Sequence, residues 1–205
     1  MAQMAVATEP VLDPEAPAPG APLDFEIVPR RGLPIVAAIV VPLIVAIAVN
    51  DKWPLMFLHV VAGATWTIVD LFLGFVIGPI LGKMSIPARV ELTTRLMPKM
   101  VLIMPTAVAV TLAAGWQLAT NLGYNLTSYS LHGWVVASFI VVGVMSVIAL
   151  GLLEPANIAV LTELKKPRPN PEVVERLMKR FIYTAGATGL MQVATLVIMT
   201  RLATG

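Results

Sequence analysis

The run from Trp53 to Leu81, WPLMFLHVVAGATWTIVDLFLGFVIGPIL, constrains this chain more than any other stretch. At about 1.5 Å per helical residue it is long enough to cross a bilayer with some tilt. Its only ionisable groups are His59 and Asp70. An ionisable group in hydrocarbon costs at least about 2.5 kcal/mol, so such groups turn into a bundle and carry a task. Helical residues advance by about 100°, so positions 59, 63, 66 and 70 return to one face. His59, Gly63, Trp66 and Asp70 are therefore expected to form one stripe. A notch at Gly63, flanked by an imidazole and an indole, would suit a flat buried ligand.

Composition sets the class. Of 205 residues, 58% are hydrophobic and 13% charged, with a mean hydropathy of +0.85. Soluble domains carry about 25% charge, so the expectation is an all-α integral membrane protein with the lipid bilayer as its main partner. The absence of cysteine removes disulfides, thiolate metal sites and thiol catalysis. No nucleic-acid signature, P-loop, HExxH, GxSxG or GxGxxG is present.

Residues 1–29 are rich in proline, alanine and acid, and read as a disordered N-terminal tail. Residues 30–205 read as one domain of five transmembrane helices, at about 32–50, 53–81, 98–119, 131–154 and 181–202. Pro42 is a kink in the first. Ser85 and Pro87 open a separate interfacial helix before the third span, its polar side made by Arg89, Arg95 and Lys99. The fourth span is expected to run on as a surface helix to Lys165. Asn170-Pro171-Glu172 is a helix start that leads into the fifth span.

Basic residues orient the chain. Arg30, Arg31, Lys83, Arg89, Arg95, Lys99, Lys165, Lys166, Arg168, Arg176, Lys179 and Arg180 fall on one side, and only Lys52 and Arg201 on the other. This places the N-terminus in the cytoplasm and the C-terminus outside. Spans two and four share further features. Each enters with Leu-His, reaches a proline (Pro79, Pro155), and is followed by Arg-Leu-Met. The pattern reads as two parallel-related helical hairpins forming a four-helix bundle, with the first helix outside it.

The chain has two histidines, His59 and His132. Neutral imidazole binds haem iron, copper or zinc, and a pair on facing helices could ligate one haem axially. The plainer alternative leaves His132 solvated near the interface and gives His59 a hydrogen bond to a neighbouring helix. Asp70 lies about 16 Å below His59 along the helix. It reads either as a proton-handling or cation-binding carboxylate, or as a group hydrogen-bonded to another span. Glu154, at the cytoplasmic end of span four, reads as solvated among lysine and arginine. Met97, Met100 and Met104 share one face and read as packing.

With Phe57 to Trp66, FLHVVAGATW, the chain resembles the CopD-like group of small membrane proteins, in which tryptophan follows histidine by seven residues. It is distantly similar to the bacterial protoporphyrinogen oxidase family, which binds haem b. The match covers roughly residues 53–202 and rests on His59, Trp66 and His132; Thr67, Ile68 and Asp70 depart from the pattern. The resemblance implies a protein of the bacterial cytoplasmic membrane with haem b, or alternatively copper, at His59 and His132. The first functional expectation is a haem-b redox protein that passes electrons to or from quinone near the outer leaflet, with Gly63 and Trp66 lining the cofactor and Asp70 handling a proton. The alternatives are a non-catalytic subunit of a larger respiratory or metal-enzyme complex, in company with other membrane subunits or as a homo-oligomer, and a copper or proton-coupled transport protein.

Overall fold

The computed structural model describes residues 23–124 and 132–204, apart from the His132 side chain. Among the described residues there is no strand, and five helices are long and apolar enough to cross a membrane. We label them α1 (Arg30–Val49), α2 (Lys52–Lys83), α3 (Ile86–Asn121), α4 (Gly133–Leu164) and α5 (Pro171–Thr204). Large apolar side chains such as Ile44, Ile68, Phe75 and Val197 point outward. Such a surface suits a lipid environment and would be costly in water.

The packing follows the hairpins. α2 lies against α3, α4 against α5, and the ring closes through α3 with α4 and α2 with α5. α1 sits on the outside, against α3 and α2. Its far end is latched by Asn50, which adopts the left-handed conformation (φ 59°) that ends the helix. The Asn50 Oδ1 accepts from Gln117 Nε2 at 2.7 Å and from Asn121 Nδ2 at 2.8 Å, both on α3. At the other end Asn170 opens α5 as its sequence suggests, its Oδ1 accepting from the Glu172 N–H at 3.0 Å.

One expectation is corrected. Residues 86–97 are not a separate interfacial helix; α3 is continuous from Ile86 to Asn121, through both Pro98 and Pro105. A proline inside a helix costs about 3 kcal/mol. Breaking the helix in apolar surroundings would orphan several backbone groups at several kcal/mol each, so continuity wins. Met97, Met100 and Met104 are buried along this helix, in the role of packing residues. The tail reading falls mostly on residues 1–22, which lie outside the described residues. Its last part packs: Phe25 and Ile27 lie against the core, and the Lys165 Nζ stands 5.3 Å from the centre of the Phe25 ring.

α2 and α4 each contain a wide, π-helical turn, at Phe72–Ile77 and Ala149–Leu153. Each is followed two residues later by a proline, Pro79 and Pro155. A proline ring in an α-helix collides with the carbonyl four residues back. A turn bonded five residues back relieves that collision. Both wide turns pack against α5. The approach at the first is very close, because a Cβ on Gly74 would lie 2.5 Å from the Cα of Gly186. Gly78 is similarly filled by Ile182, and Gly189 by Leu71. Small residues let these two helices meet at backbone distance.

Candidate functional site

The four residues of the expected stripe keep one side of α2 but meet two different helices. His59 faces α3. Its Nδ1–H donates to the Thr111 carbonyl at 2.8 Å. This fixes the tautomer and leaves Nε2 as the nitrogen with a lone pair. The ring sits where Gly115 has no side chain: a Cβ there would lie 2.6 Å from both Nδ1 and Cε1 of the imidazole. Gly63 also faces α3, and a Cβ on it would make ordinary contact with Thr111 Cγ2 at 3.5 Å. The missing side chain of Gly63 is thus met by threonine, where the sequence suggested a berth for a macrocycle. The His132 side chain lies outside the described residues.

Asp70 faces α5 and is completely buried. Its Oδ2 accepts from Thr188 Oγ1 and from Gln192 Nε2, each at 3.0 Å. Both donors are themselves buried. Trp66, one turn earlier on α2 and also buried, turns its indole N–H toward the same carboxyl without closing a hydrogen bond. Three polar atoms here are buried and unpartnered: Asp70 Oδ1, Gln192 Oε1 and Trp66 Nε1. No lysine or arginine among the described residues pairs with Asp70. The Thr188 hydroxyl has a second option, since the Thr184 and Ala185 carbonyls also lie 3.0 Å from its oxygen. Its one hydrogen serves the carboxyl or its own helix, not both.

The change of partner along α2 has a simple cause. Eleven residues of helix return almost to the starting azimuth, so His59 and Asp70 do share a side. That side looks into the seam between α3 and α5, which flank α2. The upper residues lean on one wall and the lower ones on the other.

Thr188 and Gln192 were not singled out in the sequence, although a signal exists. They are polar, four apart, and lie inside the apolar run of α5, where an amide needs a buried partner. Gly115 likewise shows only as a small residue beside Trp116. Among the described residues no group of three or more His, Cys, Asp or Glu side chains stands ready to hold a metal ion. No protein-family model, curated protein or solved structure matches this chain.

Proposed function

We propose that this chain is a membrane-embedded protein that takes up and releases a proton at Asp70. The observation that carries the reading is the pairing of Asp70 with the Gln192 amide. One amide hydrogen reaches Oδ2 at 3.0 Å, while the remaining oxygens of both groups, Oδ1 and Oε1, are buried and unpartnered. A single proton on Oδ1 turns one of these orphan acceptors into a donor, and a neighbouring oxygen such as Gln192 Oε1 can accept it. An unpartnered buried acceptor costs about 1–3 kcal/mol, so the neutral acid has a strong claim on this geometry.

The ionised form has its own partners. Thr188 and Gln192 supply two neutral donors to a carboxylate. Thr188 can turn back to its own helix when the carboxyl is protonated. A group that exchanges protons needs support in both states, and the same side chains provide it. The five apolar helices carry this group within a bilayer, with the N-terminus on the cytoplasmic side by the distribution of basic residues. The recurrence of a wide turn and a proline in α2 and α4 supports reading the bundle as two parallel-related hairpins.

The test is proton flux. The full chain, reconstituted into liposomes with a trapped pH-sensitive dye, is expected to dissipate an imposed proton gradient. Asp70→Asn keeps the shape of the side chain and is expected to lower that rate by about a hundredfold. A wild-type rate in Asp70→Asn would remove the proposal.

A second reading rests on His59. Its Nδ1–H bond to the Thr111 carbonyl is the arrangement that orients a ligating imidazole, with Nε2 left to bind haem b or copper. His59 would hold the group through Nε2, and the resemblance implies His132 as a second ligand. The face at Gly63 does not fit a macrocycle, because Thr111 occupies it. When bound, haem would supply one-electron chemistry. A Soret band in haem-supplemented protein that His59→Ala abolishes would favour this reading; a spectrum indifferent to His59→Ala would end it.

A further inference from the structure

The segment before α1 is seated on the bundle, yet only side chains hold it there. Residues 23–29 form neither helix nor strand, and their exposure alternates. Leu23, Phe25, Ile27 and Pro29 are partly buried, while Asp24, Glu26 and Val28 are exposed. That is the period of an extended chain lying with one edge on an apolar surface. Phe25 and Ile27 pack against the core, and the Lys165 Nζ, just past the end of α4, stands 5.3 Å from the centre of the Phe25 ring. At the other end of the segment Gly32 abuts α3, where a Cβ would lie 2.7 Å from Leu102 Cδ1. The segment therefore runs from the end of α4 to α3, two helices that pack together. Its one hydrogen bond from a carboxylate stays local: Glu26 Oε2 accepts from the Arg30 N–H at 3.0 Å. Among the described residues, no hydrogen bond or ion pair ties residues 23–29 to α2, α3, α4 or α5.

The seam between α3 and α4 is not wholly apolar. Its outer end is closed by buried Val160, Leu161 and Leu164. Further in, Asn157 of α4 is completely buried. Its Nδ2 donates to the Met97 carbonyl of α3 at 3.4 Å, a long bond, and its Oδ1 has no partner. We infer that residues 23–29 are a releasable strap over this seam, which keeps water from Leu164 and, behind it, from Asn157. A segment attached by a few half-buried side chains and no hydrogen bonds belongs to the low-stability end of a structure, and opens while the helices stay packed. When it lifts, Phe25 and Ile27 leave the core, Leu164 meets water, and the orphan Asn157 oxygen gains a nearby source of donors. Any effect of the strap on proton movement rests on the reading of Asp70; its covering of the seam does not.

The chain has no cysteine, so single thiols introduced into it report their own surroundings. In the full chain held in lipid nanodiscs, Leu164→Cys is expected to react slowly with a water-soluble maleimide. Adding Phe25→Ser and Ile27→Ser is expected to raise that rate at least about tenfold, and adding Phe25→Leu alone to leave it near its starting value. Val108→Cys, at a buried position elsewhere on α3, is expected to stay protected in every background, which separates a lifted strap from a loosened bundle. Equal Leu164→Cys rates with and without the serines would overturn the inference, as would serines that expose Val108→Cys to the same degree. In the liposome assay the two serines are expected to raise proton flux severalfold. Faster labelling with no proton flux in any chain counts against the reading of Asp70 and leaves the strap standing.

Discussion

The upper and lower halves of α2 each hold one ionisable side chain, and they treat them differently. His59 is half-buried and held at one nitrogen, by a hydrogen bond to Thr111 at 2.8 Å, with its ring seated over Gly115. Asp70 is more deeply buried and left open, with one oxygen doubly bonded and the other unpartnered. The first arrangement joins two helices. The second also joins two helices, and leaves Oδ1 without a partner among the described residues. What separates the two sites is the unsatisfied remainder.

Substitutions can break that contrast at three levels. The largest effect is expected at the wide turn below Asp70. In Gly74→Ala the new methyl meets the Gly186 backbone, which cannot swing aside, so a loss of about 3 kcal/mol is expected. Denaturant titration in mixed micelles measures it, and a loss under about 1 kcal/mol would show that α2 and α5 are not in backbone contact. Next comes Gly115→Ala, expected to cost about 1–2 kcal/mol by displacing the imidazole and its hydrogen bond. The same change in a His59→Ala background is expected to cost almost nothing. An undiminished cost there would mean that the ring does not occupy the space over Gly115. The smallest effect is expected for Gly63→Ala. Its methyl fits at 3.5 Å from Thr111, and replacing a mid-helix glycine should raise stability by about 0.5–1 kcal/mol. A clear loss would instead favour an open berth at Gly63.

Much of the fold was legible because hydrophobic runs bounded by charge leave little choice. The five long helices, the Asn170 start and the inward turn of Trp66 and Asp70 all follow from residue order and helical period. The continuity of α3 did not, because Pro98 signals a break by rules that hold in water, and an apolar interior reverses the balance. The azimuth of Asp70 was legible, but not the wall it leans on, since period alone does not say which neighbour fills a seam. Its partners Thr188 and Gln192 lie more than a hundred residues away, and nothing in the spacing of α2 points to them. The close seating of His59 depended on Gly115, a residue whose importance is the side chain it lacks.

The wide turns carry a consequence for the phase of the helices that contain them. A turn closed five residues back holds one residue more than its α-helical counterpart, so everything beyond it is rotated by about 100° relative to an unbroken helix. Gly78 meets Ile182 only in that rotated frame. Deleting a single residue between Phe72 and Ile77 would restore regular winding and swing the lower end of α2 by over a quarter revolution. Its glycine would then face away from α5, and bulkier neighbours would be driven into the seam.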